Sequence, residues 1–500
     1  MLKDEAGGER VWVGVDIGTQ SVRVLAVTED GDVAASGTAP LRGTRTPQGR
    51  HEQDPGAWWT ALGAASRSAV AGLRPGRIAA VAVCGTSGSF LLTDDAGRPL
   101  TPAFMYDDAR ARDEAAEVQA AGARTWARLG YTMQPSWALP KLVWALRAGL
   151  PGAGGGAVRL AHQPDHLVSR LVGHRVATDS SHALKTGYSP ADGGWPGAVL
   201  DLLGVPEQVL PDVVAPGTTL GRIGTAGAEH TGLPAGVPVV AGMTDGCAAQ
   251  IAAGALEPGQ WNSVLGTTLV LKGVTDDLLH DPSGAVYSHR HPDGGWLPGG
   301  ASSVGAGAIA DRFPGRDPRE LDALAAARTG VPAPLYPLRG RGERFPFLRP
   351  DAEGFEAGTF ADDAERHLAV LYGVAYVERL SLDHLRSLGA RVEAVSLTGG
   401  GARSRLWTQI RADVLGMPVR LPEQSEPAFG MAVLAAARGS VRRSARAMVR
   451  TREAVDPRPD RLAAADEGYQ RMLAELTGRG YLPPHLTPGA GREHDHRSRT

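Results

Sequence analysis

Val11-Trp-Val-Gly-Val-Asp16-Ile-Gly18-Thr19 is a short apolar strand that runs into a Gly-Thr turn. A second apolar strand, Val22-Arg-Val-Leu-Ala-Val27, leaves that turn. Asp30-Gly31 gives a hairpin signal, and Val33-Ala-Ala-Ser36 continues beyond it, so the N-terminus reads as a β-meander. The arrangement returns once. Trp261-Asn-Ser-Val-Leu265 meets Gly266-Thr267-Thr268 and is followed by Leu269-Val-Leu-Lys-Gly-Val274. Gly18 and Gly266 lie 248 residues apart in a chain of 500. A strand–turn–strand unit repeated at about half the chain length is a duplication signal. It predicts two related α/β halves rather than several unrelated domains.

The rest of the chain fills in these halves. Asp54-Pro55 reads as an N-cap with proline at the first helical position. Trp58, Leu62, Ala65, Ala69 and Leu73 follow at helical spacing. A strand over 78–83 ends in Cys84-Gly-Thr-Ser-Gly88. Residues 107–210 lack clean alternation and read as an insertion on the first half. A strand over 237–241 ends at Gly242-Met-Thr-Asp245, and a small-residue helix is predicted from Ala248 to Ala255. In the second half, Leu368, Leu371, Tyr372, Ala375, Leu382, Leu385 and Leu388 mark one face of a long helix. A strand over 392–397 leads into Thr398-Gly-Gly-Gly401, with helices predicted over 404–415 and 427–438. The tail after Tyr481 reads as disordered, and His494 and His496 within it as solvent-exposed bystanders.

Composition narrows the function classes. The net charge is −2, so the whole-chain field does not favour nucleic acid or an acidic membrane surface. No apolar run approaches the ~18 residues of a membrane span. The start, Met1 to Arg10, is too polar for a signal peptide. Cys84 and Cys247 are the only cysteines and form neither a CxxC nor a zinc spacing. A soluble protein of a reducing, cytoplasmic compartment is expected.

Several residues could carry chemistry, each with a structural alternative. Backbone N–H groups of the two Gly-Thr turns, with Gly18, Thr19, Gly266 and Thr267 at their tips, could face phosphate oxygens; either turn alone could be a plain hairpin. Asp16 is the only charge in its strand and needs a partner. It could ligate Mg²⁺ or accept from nearby turn amides. Asp245 sits between a strand and a helix, where it could accept a proton from a substrate hydroxyl or act as an N-cap. The helix N-terminus would favour its charged form. Gly399-Gly400-Gly401 between strand and helix suits a nucleotide or a tight crossover. Trp407 could stack on a base or pack in the core. Ser87 could bond a polyol or close its turn. Neither GxGxxG nor GxxxxGK[ST] is present.

Five segments in this order resemble the FGGY family of carbohydrate kinases: Gly14-Val-Asp-Ile-Gly-Thr19, Cys84-Gly-Thr-Ser-Gly88, Gly242-Met-Thr-Asp-Gly246, Val264-Leu-Gly-Thr-Thr268 and Thr398-Gly-Gly-Gly-Ala402. The resemblance covers about residues 10 to 440. It implies two ribonuclease H-like (actin-like ATPase) domains with the active site in the cleft between them. It implies an N-terminal domain over 10–252 that binds sugar and ends with the catalytic base. A C-terminal domain over 253–480 would bind nucleotide, its last helices free to pack back on the first, and 481–500 would form the tail.

Within the family, Ser181-His-Ala-Leu-Lys-Thr-Gly-Tyr-Ser-Pro190, Val286-Tyr-Ser-His289, Gly299-Gly-Ala-Ser302 and Tyr336–Pro346 resemble the D-ribulose kinases of cyanobacteria and plants. The implied reaction is ATP-dependent phosphorylation of D-ribulose at its terminal hydroxyl. D-xylulose, or another ketose or polyol, is the alternative. A catalytically silent nucleotide-binding regulator is the alternative of another class, and the presence of both aspartates counts against it. The resemblance makes Asp245 the general base and places Asp16, Ser87 and Asp245 on the sugar, with Asp16 holding Mg²⁺. ATP would contact Gly18, Thr19, Gly266, Thr267, Gly400, Gly401, Ser404 and Trp407. Gln20 stands where relatives often have a small residue, and Ser404 where asparagine is common. The implied partners are a sugar and ATP only, and the chain would act as a monomer or homodimer.

Overall fold

The computed structural model describes residues 9–46, 49–150 and 157–487. Most of the polar start, and the tail with His494 and His496, lie outside the described residues. The chain divides into two compact units. The first takes the described residues up to Leu256, together with His289–Leu297 and Gln424–Arg450. The second takes Glu257–Ser288, Pro298–Glu423 and the described residues from Thr451 onward.

The first unit is built on a six-stranded sheet ordered Val33–Pro40, Ser21–Thr28, Val11–Ile17, Ile78–Gly85, Pro238–Val240 and Thr219–Arg222. Successive pairings are antiparallel, antiparallel, parallel, parallel and antiparallel. In the second unit, 298–301 of the strand Trp296–Ala301 and the strands Leu269–Gly273, Gln260–Leu265, Ala394–Thr398, Val419–Pro422 and Thr451–Val455 follow one another. The first of these pairs through Gly299–Ala301. Their pairings are again antiparallel, antiparallel, parallel, parallel and antiparallel. The repeated Gly-Thr turn is therefore the visible trace of a repeated sheet. In each unit it joins the central strand to its antiparallel neighbour.

The central strand Val11–Ile17 is covered on both faces. Successive side chains point to opposite sides of a strand, so Val11, Val13, Val15 and Ile17 share one face. They pack with Trp58, Leu62 and Ala65 of the helix Pro55–Val70 and with Leu167 and Leu171 of the helix Gln163–Val172. The first of these helices starts as the sequence predicts: Asp54 accepts from the Gly56 N–H at 2.9 Å, with Pro55 at the first position. Trp12, Gly14 and Asp16 share the other face, which the helix Pro427–Ala435 covers. Only glycine allows this contact, because a Cβ on Gly14 would collide with the Ala428 carbonyl oxygen. A Cβ on Gly430 would likewise strike the Ala248 carbonyl in the helix Asp245–Ala252. Close backbone approach within this layer thus accounts for several of the many glycines.

Two predicted boundaries move. The helix predicted from Ala248 begins at Asp245. The helix predicted over 427–438 ends at Ala435. The stretch read as an insertion is helical in part, and a separate five-stranded sheet joins Thr44–Arg45, His51–Gln53, Ala103–Phe104, Phe90–Thr93 and Arg159–His162. Among the described residues, no helix is long and apolar enough to cross a membrane.

Candidate active site

In the first unit, two strand ends and two helix starts converge. Asp16 lies one residue before the end of the central strand. The neighbouring strand ends at Gly85 and continues into Thr86-Ser87-Gly88. Thr244 pairs with Gly85 in a parallel bridge, and Asp245 is the first residue of its helix. Glu426 precedes the helix that covers Gly14. Ligand sites of α/β sheets form at such carboxyl ends.

The electrostatics follow from this convergence. Burial, and next the negative charge of Asp245, push the Asp16 carboxyl up to about 7. The Cys84 thiol donates to Asp16 Oδ1 at 3.5 Å and works against that rise. Glu426 adds to it, while Arg23 offsets part of it and is itself ion-paired to Glu426. Asp16 thus feels two like-charged carboxylates and one guanidinium. Negative charge brought to Asp16 in this way suits a cation. Asp245 is not an N-cap: Thr244 holds that position, and Asp245 Oδ1 accepts from the Gly246 N–H at 2.7 Å. The Ser87 hydroxyl is buried and has no hydrogen-bond partner. Buried hydroxyls are normally satisfied, so an orphan on the loop that leaves the strand paired with the Asp16 strand marks a place for a polar ligand.

The loop that carries Ser87 is held from below. Lys141 is fully buried and donates to the carbonyls of Gly88 at 3.0 Å and Met105 at 2.6 Å. Burial pushes its pKa down from 10.5 to about 7. The folded state therefore binds fewer protons than the unfolded chain between these values, so its contribution to stability rises with pH across that window. Denaturation from pH 7 to 10 should show wild type gaining stability relative to Lys141→Met. Parallel curves would mean that the lysine titrates normally.

At the first Gly-Thr turn, the Gly18 N–H donates to the Ser21 carbonyl at 3.0 Å. Gln53 Nε2 donates to the Thr19 carbonyl at 2.8 Å, and Trp58 in turn donates to Gln53. At the second turn, the Gly266 N–H donates to the Thr268 carbonyl, and Ala306 and Gly307 donate to the carbonyls of Gly266 and Thr267. Thr267 is exposed.

The glycine triplet divides three ways. Gly399 takes a positive φ of 81° against Leu265. A Cβ on Gly400 would meet open space. A Cβ on Gly401 would sit 2.5 Å from the Leu265 side chain, so packing within the unit already demands glycine there.

One expectation at the second unit gives way to packing. Trp407 is buried at 2% exposure, and its Nε1 donates to the Leu371 carbonyl at 3.0 Å. It belongs to the hydrophobic core, and base stacking is not available to it. Ser404 is the N-cap of the helix Arg405–Leu415, its Oγ accepting from the Trp407 N–H at 3.0 Å. Asp16, Ser87 and Asp245 are brought together, whereas Gly266, Thr267 and Gly400 form a separate group in the second unit.

Sequence reasoning missed Cys84, Lys141 and Glu426. Lys141 did carry a signal, the one charge in Ala138-Leu-Pro-Lys-Leu-Val-Trp-Ala145, of the same kind that singled out Asp16. Cys84 and Glu426 carried none.

Comparison with known proteins fits this geometry. Residues 11–252 match the N-terminal domain of the FGGY family of carbohydrate kinases, and residues 262–438 match its C-terminal domain. The chain belongs to the FGGY family of carbohydrate kinases. Over 85% of its length it is 33% identical to the xylulose kinase of Streptomyces coelicolor, covering 87% of that protein. It is 29% identical to the xylulose kinase of Escherichia coli over 85% of this chain and 89% of that one. A solved xylulose kinase from Rhodospirillum rubrum superposes with a TM-score of 0.84 at 27% identity, over 94% of this chain and 99% of the other. The FGGY fold is thus established as two actin-like ATPase domains, and the chain is a sugar kinase. The subgroup of D-ribulose kinases does not emerge among these relatives.

Proposed function

We propose that this FGGY kinase transfers the γ-phosphoryl group of ATP to the terminal hydroxyl of a ketopentose. The observation that carries the proposal is the orphan Ser87 hydroxyl on the loop that leaves a strand paired with both the Asp16 strand and Thr244, with the Asp16 and Asp245 carboxylates acting on one another. Ser87 would bond a sugar hydroxyl. Asp245 would take the proton of the attacking hydroxyl as its oxygen bonds to the γ-phosphorus and the bond to ADP breaks. Gly18 and Gly266 donate within their own turns, so the N–H groups of Thr19 and Thr267 would be the ones to stabilise phosphoryl oxygens, with Gly400 leaving room for close approach.

The surplus of carboxylates around Asp16 supports Mg²⁺ as the accompanying cation, with Asp16 holding it directly or through water. Bound Mg²⁺ supplies positive charge to the phosphates. Among the described residues, no cluster of three acidic, His or Cys side chains is arranged to hold a metal by itself. That agrees with an ion that retains waters and takes phosphate oxygens. We place the reaction in the cytoplasm, where ATP is supplied.

The xylulose kinases among the relatives support D-xylulose as the first substrate. D-ribulose is the second reading. It is favoured by the segment Ser181–Pro190, whose Ser181 Oγ accepts the N–H of Thr244 beside the base. ADP release measured with D-xylulose, D-ribulose, L-ribulose and glycerol tests both. Sugar-stimulated turnover with one ketopentose is expected, and its absence with all four would overturn the assignment.

A further inference from the structure

Beneath the two loops that carry Ser87 and Asp245 lies a buried polar cluster that touches no candidate substrate position. Asp179 ends the short strand Thr178–Asp179 and is 3% exposed. Its Oδ1 accepts from the Ser181 N–H at 2.8 Å, the Ser181 hydroxyl at 2.6 Å and the His182 N–H at 3.1 Å. Its Oδ2 accepts from His182 Nδ1 at 2.5 Å. Two links lead upward from this carboxylate. Ser181 Oγ accepts from the N–H of Thr244, the residue before Asp245, at 2.9 Å. His182 Nε2 faces the Gly85 carbonyl at 3.3 Å, two residues before Ser87.

We propose that Asp179 is a positioning residue for phosphoryl transfer, holding the base loop through Ser181 and the sugar loop through His182. The role rests on the proposed kinase reading of Asp245 and Ser87.

Because Ser181 gives its only hydroxyl proton to Asp179, its oxygen is left oriented to accept from Thr244. Both His182 nitrogens face acceptors, so the ring donates twice as an imidazolium. Charge agrees with this geometry. Burial opposes the Asp179 charge, but His182 and the surrounding hydrogen bonds hold its carboxyl below the usual range. His182 is raised against its own burial by Asp179. One fully paired carboxylate thereby ties two loops from distant parts of the chain to a single reference point. Rigid support of this kind keeps a catalytic group within the small tolerance that transfer demands.

Asp179→Asn and Ser181→Ala test the proposal. The asparagine variant keeps the size but loses the charge and one acceptor. The alanine variant removes the link to Thr244 and the hydroxyl's bond to Asp179 but keeps the buried ion pair, so it serves if Asp179→Asn fails to fold. ADP binding measured by calorimetry counts the folded nucleotide sites, and kcat is normalised to them. Normalised kcat should fall about 100-fold, the scale expected for a catalytic group displaced by an ångström. The KM for ATP and the Kd for ADP should stay near wild type. Normalised kcat near wild type in the folded variants would overturn the positioning role. So would a parallel loss of ADP affinity, which a merely structural role predicts. A wild-type enzyme inactive on every sugar would instead bring down the kinase reading and this inference with it.

Discussion

Replacing Asp245 with asparagine should lower sugar-dependent ADP release by roughly 10²–10⁴-fold, the usual contribution of a general base. The variant should stay folded, because the change is isosteric and Asp245 lies at a helix start outside the apolar core. Asparagine retains the oxygen that accepts from the Gly246 N–H. What it loses is the capacity to take a proton. It also removes a negative charge that pushes Asp16 up, so Asp16 should titrate closer to the ordinary carboxylate value. The decisive comparison is kcat at saturating sugar and ATP alongside the circular dichroism of both proteins. Turnover equal to wild type would remove Asp245 from the base role.

The second large effect concerns stability. Arg411 and Glu378 are fully buried and form a two-pronged ion pair at 2.7 Å and 2.7 Å, and Arg411 also donates to Ser263 Oγ at 2.8 Å. Ser263 lies on the strand that ends at the Gly266 turn. Glu378→Gln leaves the buried Arg411 charge without its counter-charge, and breaking a buried pair from one side costs about 3–5 kcal/mol. A chain of two units need not unfold in one step. The fitting readout is therefore hydrogen exchange at the amides of Gln260–Leu265 and Arg405–Leu415, which should lose protection while Val11–Ile17 keeps it. The double variant Glu378→Leu, Arg411→Met should recover much of the loss, because it leaves no lone charge. Unchanged exchange in Glu378→Gln would mean that the pair contributes nothing to the second unit.

Much of the fold was legible because its signals are local. Alternation of valines, Gly-Thr turns and the Asp54-Pro55 start each lie within a few residues and report backbone geometry directly. The duplication could be read because the same local pattern returns after half a chain. Trp407 was misplaced because a tryptophan one turn into a helix looks the same whether its ring faces a ligand or a core. The outcome depended on Leu371, which is 36 positions away and offers a carbonyl to the indole. Of the glycine triplet, only Gly400 has open space; Gly399 and Gly401 answer to Leu265. Sequence spacing cannot distinguish these demands.

The amino-acid sequence by itself determined that two related α/β units exist, that each carries a Gly-Thr turn on its central strand, and that Asp16 sits at a strand end and Asp245 between a strand and a helix. Those properties follow from nearest-neighbour sterics and the period of the strand. Only the tertiary structure decided that Asp16, Asp245 and Glu426, spread across more than four hundred positions, share one electrostatic environment. It also decided that Asp179 and Lys141 support the loops around them. Such meetings depend on which segments exclude water from one another, and a charge gives no local sign of the partner it will acquire on burial.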